Sequence, residues 1–301
     1  LSQFDETCKP YKSIYSNDGK YIYCNPYALS LGFGMNESVK YARMNEKDPF
    51  KLQNDIAGRF SQTNYQIYRP VKVSEVKLNN VSEERNVYTK IDPEKEGSIE
   101  YILSITSDDF IYMYADAPRI QNTDLFINGD EKGNYFSEYD WSIREGGYYT
   151  PGDLVSIKFT VEDDCLEIDN IYFYYESKQV LKAWYKDAAT TSCNVSKITS
   201  SHLIADVNVS ETSDCMVFTI PYEEDWRVKV DGIKVKPFKV MDTLLAIKVP
   251  GGEHEIDLRY IPRGIMIGLP ISAIFILLTL IVLLFSSKNN KGNNQSERSY
   301  I

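Results

Sequence analysis

An aromatic cluster is the first feature of this sequence with an evident binding chemistry. Trp141, Tyr148 and Tyr149 lie in a segment that also carries glycine and proline, so the segment is typical of a loop. Exposed aromatic rings stack on the C–H faces of sugars, while neighbouring polar side chains bond to the hydroxyl groups. These three residues are our candidates for carbohydrate contacts. Packing in a hydrophobic core is the alternative.

Acid–base catalysis at neutral pH would use histidine, and the chain has only His202 and His254. His254 alternates with apolar residues, which predicts a core position, and neither histidine has an evident acidic partner. Ser201 stands beside His202 but lies in no GxSxG nucleophile motif. HExxH, Walker A and GxGxxG motifs are also absent from the sequence. We therefore assign no catalytic residue.

Metal binding is also not expected. Carboxylates cluster in residues 162–169 and at Asp108–Asp109, but they lack EF-hand spacing, and a calcium site needs six or more converging oxygens. No CxxC pair occurs among the cysteines, which are Cys8, Cys24, Cys165, Cys193 and Cys215. Disulfides between Cys8 and Cys24, or Cys193 and Cys215, remain open. We expect no metal and no cofactor in this chain.

The composition describes an acidic, folded protein. With 301 residues, of which 43% are hydrophobic, the chain is long enough for one or two cores. The 33 Lys and Arg residues against 43 Asp and Glu give a net charge of -10, which disfavours nucleic acid as a partner. The 23 tyrosines and 13 phenylalanines favour strands, so the expected fold class is mainly β.

An uncharged apolar segment lies near the end of the chain. Residues Ile265–Phe285 read IMIGLPISAIFILLTLIVLLF, which is 21 residues without a charge. A helix of this length is roughly 30 Å long, the thickness of the hydrocarbon layer of a bilayer. We predict a transmembrane helix over residues 263–286, with the lipid bilayer as a partner.

The short tail after this helix determines the predicted orientation. Residues 287–301 carry Lys288, Lys291 and Arg298 against the single acid Glu297, which predicts a cytoplasmic tail. The remaining residues, 1–262, are then extracytoplasmic. An acidic domain of this size needs a signal peptide or earlier membrane helices to cross the membrane, so we expect one of these upstream.

The predicted organisation has three parts before the membrane helix. Residues 1–94 are expected to form an irregular segment with a short helix that begins at Asp48–Pro49, where Asp caps and Pro occupies the first turn. Alternating apolar residues predict a β-sandwich or jelly roll over 95–180. A helix and a second β region follow over 181–262.

A hairpin is the sharpest local prediction in the second β region. Asp231-Gly232 between two alternating runs is typical of a type I′ turn. That turn places Val230 opposite Ile233 and Val228 opposite Val235 on one apolar face.

Several segments resemble the bacterial YfhO membrane proteins. The resemblance is carried by Phe218–Tyr222, Trp226–Gly232 and Val249–Tyr260, and by the earlier segments Asn25–Phe33 and Pro49–Asn54. The family usually has Gly before the tryptophan, where this chain has Asp225.

The resemblance implies a part of a polytopic GT-C type glycosyltransferase that decorates envelope polymers such as lipoteichoic acid from a polyprenyl-phosphate sugar donor. Catalytic acids of such enzymes lie in loops between earlier membrane helices, so none is carried over onto this chain. The expected role of these residues is to bind or orient the acceptor glycopolymer, beside upstream helices of the parent protein. A single-pass surface adhesion protein without activity is the alternative.

Overall fold

Strands dominate the architecture. The structure is a computed structural model that describes residues 12–17, 20–42, 44–60, 63–137 and 142–296. Within these ranges 23 strands form six sheets, with three α-helices and a short 3₁₀-helix, so the mainly β prediction is confirmed.

In chain order the elements are β1 (Lys12–Asn17), β2 (Lys20–Cys24), β3 (Gly32–Met35), the 3₁₀-helix (Glu37–Tyr41), α1 (Pro49–Gly58), β4 (Tyr68–Pro70), β5 (Lys72–Asn79), β6 (Val81–Glu84), β7 (Val87–Lys90), β8 (Gly97–Ser104), β9 (Phe110–Asp116), β10 (Thr123–Ile127), β11 (Asp130–Tyr135), β12 (Arg144–Gly147), β13 (Leu154–Val161), β14 (Cys165–Glu167), β15 (Asn170–Glu176), α2 (Lys178–Ala188), β16 (Ser192–Ile198), β17 (His202–Val209), β18 (Cys215–Pro221), β19 (Trp226–Val230), β20 (Ile233–Val235), β21 (Phe238–Val240), β22 (Leu244–Lys248), β23 (Gly252–Tyr260) and α3 (Arg263–Ser296).

The first sandwich packs two antiparallel sheets over one core. Their strand orders are β11-β10-β13-β8-β5 and β12-β9-β15-β4, and a small third sheet, β14-β7-β6, adjoins them. Strand β13 shows why these residues form a sheet: Val155, Ile157, Phe159 and Val161 are all buried, while the residues between them face outward. The Asn128-Gly129 turn joins β10 to β11, with positive φ at both residues.

The second sandwich pairs a five-stranded sheet, β16-β17-β23-β19-β20, with a four-stranded sheet, β21-β22-β18-β3. Strand β18 is buried on both faces. Met216 and Phe218 point into the core between the sheets, whereas Cys215 and Val217 belong to a second cluster on the other side, with Trp184 of α2. The predicted helix therefore covers the back of the four-stranded sheet. Its cap is Ser177, whose Oγ accepts from the Val180 N–H.

The N-terminal segment supplies the edge strand of this second sandwich. Strand β3 pairs antiparallel with β18, so that Gly32 lies opposite Phe218 and Met35 opposite Cys215. A Cβ on Gly32 would lie 2.7 Å from the Phe218 ring, and one on Gly34 would lie 2.4 Å from the Thr191 hydroxyl. Glycine is required because the neighbouring side chains occupy this space.

Asp48 connects α1 to the first sandwich. Its Oδ1 accepts from the Phe50 and Lys51 N–H groups, which confirms the predicted helix start. Its Oδ2 accepts from the Tyr174 hydroxyl at 2.7 Å, and the Phe50 and Tyr174 rings stack at 4.6 Å. Burial and the bond to Asp48 raise the pKa of Tyr174.

The segment expected to be irregular, 1–94, instead contains strands β1 to β7 within its described part. Strand β5 escaped the sequence pattern because a bulge between Val73 and Glu75 breaks its alternation. Since β5 pairs with β8, the polar stretch Asp92–Gly97 is a turn within the first sandwich and not a boundary.

The last helix, α3, begins at Arg263 and continues to Ser296, beyond the predicted end at 286. Its segment Arg263–Leu284 is long and apolar enough to cross a membrane, and no residue of its most apolar window is buried by the protein. A bare apolar surface of this length needs a lipid environment. Among the described cysteines, Cys165, Cys193 and Cys215 are free thiols, and burial raises the pKa of Cys215 to about 12.

Candidate membrane-proximal groove

Ion pairs join the folded part to the membrane helix. The Arg263 Nε lies 2.6 Å from Asp225 Oδ1, and its guanidinium also contacts the Glu224 carboxylate. The Arg263 backbone N–H donates to Asp225 Oδ2 at 3.0 Å, so Asp225 caps the start of α3 from the turn before β19. These bonds from Arg263 lower the pKa of Asp225. The helix is thereby fixed to the second sandwich.

An aromatic pair supports the same junction. The Trp226 and Tyr260 rings lie 5.2 Å apart on neighbouring strands β19 and β23. The Trp226 indole N–H donates to the Pro221 carbonyl at 3.1 Å, and the Tyr260 hydroxyl donates to the Glu223 carboxylate. Trp226 therefore packs at the edge of the core, and its indole N–H has a hydrogen-bond acceptor.

A groove of about 850 Å³ opens beside this junction. Its outer wall is the solvent face of β19, β20 and β23, and Met266 of α3 reaches into it from the membrane helix. Two carboxylates, Glu224 and Asp257, line it against six cations, which are Arg227, Lys229, Lys234, Lys236, Arg259 and Arg263. In a chain of net charge -10 this is a local concentration of positive charge.

Strand register produces this concentration. Arg227 lies directly opposite Arg259, and Lys229 lies between Asp257 and Lys234 on the two neighbouring strands. Asp257 is already engaged by Arg259, which lowers the pKa of Asp257, and by His202. Facing like charges on adjacent strands repel each other, so the groove is suited to bind an anion.

Both histidines have acidic partners that sequence reasoning missed. His202 Nε2 lies 2.9 Å from Asp257 Oδ1, and His254 Nδ1 lies 2.7 Å from Asp231 Oδ2. The partners are 55 and 23 residues away in sequence, and cross-strand register brings them together. In the described part of the chain neither imidazole bonds to a serine, threonine or cysteine side chain, so neither activates a nucleophile there.

The opposite end of the same sheet face is acidic. A second groove of about 520 Å³ is lined there by four carboxylates and His254; the carboxylates are Asp206, Asp231, Glu253 and Glu255. The His254 hydrogen bond lowers the pKa of Asp231. Among the residues that the structure describes, no three His, Cys, Asp or Glu side chains are arranged so that they could hold a metal ion.

The aromatic residues predicted to contact carbohydrate are placed differently from one another. Tyr148 is exposed, and the Lys178 ammonium lies 5.4 Å from the centre of its ring. Tyr149 packs against the first core and donates its hydroxyl to the Gly146 carbonyl at 2.9 Å. Trp141 lies outside the described residues. Tyr148 therefore offers an open ring face, whereas Tyr149 supports the loop.

Two of the carboxylates considered for calcium form ion pairs. Glu167 pairs with Arg119 at 2.6 Å, and Asp109 pairs with Arg69 at 2.7 Å.

Solved structures with a similar arrangement include two glycoside hydrolases. A Ruminococcus gnavus β-glucuronidase has a TM-score of 0.22 and 7% identity over 56% of this chain and 33% of that chain. A glycosyl hydrolase family 2 member from Bacteroides cellulosilyticus DSM 14838 has a TM-score of 0.22 and 14% identity, over 56% and 24% of the two chains. Neither likeness is close enough to support an argument about fold or function.

Sequence relationships are more informative. The protein YfhO of Bacillus subtilis (strain 168) is 28% identical over 114 residues, which cover 38% of this chain and 13% of that protein. The aligned part is thus a small share of the relative's length. The profile of the family described as "Bacterial membrane protein YfhO" matches residues 2–272, including both sandwiches and the start of α3. This chain belongs to the YfhO family of bacterial membrane proteins.

Proposed function

We propose that these residues are the extracytoplasmic region and last membrane helix of a polytopic glycosyltransferase that modifies cell-envelope polymers such as lipoteichoic acid. Their role is to bind and orient the acceptor glycopolymer. The sugar donor, a polyprenyl-phosphate sugar, is used by catalytic groups in other parts of the parent protein, beside its other membrane helices.

The fixed junction at Arg263 is the observation that carries this proposal. A domain that moves freely relative to the membrane orients a bound acceptor poorly. A domain bonded to a membrane helix holds its ligand at a defined distance from the membrane surface. Asp225 and Glu224 provide that connection through the ion pairs with Arg263. A binding role also agrees with the described histidines, which are bonded to carboxylates and not to nucleophiles.

Tyr148 is the proposed sugar-stacking residue. Its ring is 46% exposed, and Lys178 beside it supplies a hydrogen-bond donor for hydroxyl groups. Trp141 is a second candidate by its position in the sequence. Tyr149 has a supporting role because its hydroxyl already bonds to the loop backbone.

The test is glycosylation of the envelope polymer in cells that express the full-length parent with Tyr148→Ala. We expect the sugar content of the polymer to fall, with Tyr41→Ala as the matched control, because Tyr41 is 77% exposed on a different element. Unchanged glycosylation in Tyr148→Ala and in Trp141→Ala, at equal protein levels, would remove the assignment of these residues.

The orientation is tested separately. Protease added to intact cells should cleave the sandwiches of the full-length parent and spare an epitope placed after residue 301. Cleavage of the epitope with intact sandwiches would reverse the proposed topology.

A further inference from the structure

We propose that the membrane-proximal groove binds the net anionic headgroup of a phospholipid. The inference requires the membrane helix and the groove, and it stands independently of the proposed transferase activity.

The position of the groove points to a lipid. Arg263 lines the groove and is also the first residue of α3, and Met266 lines it from the next turn of the same helix. The groove therefore begins where the apolar helix enters the bilayer. A lipid whose acyl chains lie along α3 has its headgroup at the level of these residues.

Unpaired charge points to an anion. Among the described residues, Arg227, Lys229, Lys234 and Lys236 form no ion pair, although carboxylates outnumber cations in the whole chain. Arg227 faces Arg259 across two strands, and Lys229 faces Lys234. A phosphate between them relieves this repulsion, and a cation close to a membrane surface gains free energy from anionic headgroups.

The groove wall is mixed, as an amphipathic ligand requires. Trp226, Tyr222 and Ile261 line it together with the cations, so apolar and charged surface lie side by side. A free phosphate ion makes no favourable contact with the apolar side chains of the wall. A headgroup with its glycerol and first methylene groups contacts both.

The experiment measures lipid binding to the intact 301-residue chain in neutral detergent micelles. Phosphatidylglycerol or phosphatidylcholine is added, and bound lipids are counted by native mass spectrometry at low ionic strength. We expect specific retention of phosphatidylglycerol, which weakens as salt is added. Equal retention of both lipids would overturn the proposal.

The variant that tests the site is Lys229→Gln/Lys234→Gln/Lys236→Gln. We expect affinity for phosphatidylglycerol to fall about fivefold per lysine, or roughly a hundredfold in total. The matched control is Lys182→Gln/Lys186→Gln/Lys197→Gln, which removes three exposed, unpaired lysines from α2 and β16. If both triple variants bind as the wild type does, or lose affinity equally, the groove is not the site.

A thermal unfolding measurement and a competition with inorganic phosphate separate the possible explanations of a loss in lipid binding. The groove lysines lie on the solvent face, so their replacement should leave the thermal unfolding transition nearly unchanged, and a shared loss of fold would be visible there. Inorganic phosphate is added as a competitor. Displacement of phosphatidylglycerol by an equal concentration of inorganic phosphate would identify a free-anion site and overturn the lipid assignment.

Discussion

The two ends of one sheet face differ in charge. Near α3, the solvent face of β19, β20 and β23 presents four cations to a groove, and Lys236 and Arg263 add two more. At the far end of the same face, Asp206 lies opposite Glu255, and Asp231 and Glu253 complete an acidic patch. Inner residues of both ends, such as Leu258 and Ile256, are equally buried.

Two properties of a strand account for this difference, the alternation of its side chains and their position along it. Alternation decides which side chains enter the core, and it is the same at both ends. Position along the strand decides which charges lie near the membrane helix. Because headgroup phosphates are negative, the cations that outnumber carboxylates at the near end attract them, and the four carboxylates of the second groove lie farther from the membrane helix.

The largest expected effect comes from a substitution in the core beneath this sheet, which supports both ends of its solvent face. Leu258 is fully buried between the sheets, so Leu258→Ala removes apolar contacts and leaves a cavity. We expect about 3 kcal/mol of destabilisation, measured by thermal or urea unfolding of the chain in detergent. Lys229→Ala, on the opposite face, should change stability by less than about 0.5 kcal/mol. Similar losses in both variants would mean that the two faces are not distinct.

A smaller effect is expected from the turn at the acidic end. Gly232 has a φ of 79°, and an added Cβ would meet no atom within 4 Å, so Gly232→Ala should cost about 1 kcal/mol from backbone strain alone. Gly264 at the membrane end also has open space and an ordinary φ. Gly264→Ala is therefore the matched control and should not destabilise the protein. Equal melting temperatures for the two variants would contradict this account.

Removing the cap of α3 should act locally at the cationic end. Asp225→Ala eliminates the acceptor of the Arg263 N–H and the ion pair with its guanidinium. We expect faster hydrogen exchange at the start of α3 with little change at the Asp231 hairpin. Asp231→Asn, which retains a side chain suited to positive φ, serves as the distal control. If the Arg263 amide exchanged as slowly in Asp225→Ala as in the wild type, Asp225 would not be holding the start of α3.

Acid should reproduce this loosening in the unmodified protein. Contacts to Arg263 lower the pKa of Asp225, so its contribution is present above the usual carboxylate pKa and is lost as the pH falls through the lowered value. The protection of the amides at the start of α3, relative to their intrinsic exchange rate at each pH, should therefore fall only below about pH 4. The Asp225→Asn variant should show no such transition. A transition of the same size in that variant would assign the effect to another group.

Local patterns predicted much of this fold. The predicted Asp48 cap of α1 and the predicted Asp231-Gly232 hairpin, with Val228 opposite Val235, are both confirmed. Each depends on residues that are close together in sequence, where side-chain type decides the backbone conformation. The apolar run of α3 was equally evident, since length and composition alone identify it.

Long-range pairing was not predictable in the same way. The bulge in β5 breaks the alternation of that strand, and the partner of β3 lies about 180 residues away in β18. His202 and Asp257 are 55 residues apart in sequence, and the pairing of β17 with β23 brings their side chains together.

The sequence alone determined that the chain is mainly β, where its capped helices and tight turns lie, and that its last helix is a membrane segment, because these properties follow from side-chain chemistry over short distances. The tertiary structure alone decided that Arg227, Lys229, Lys234 and Arg259 share one groove beside Arg263. The physical reason is strand register: a shift of one residue would turn each of these cations to the other face, and no local pattern specifies which strands become neighbours.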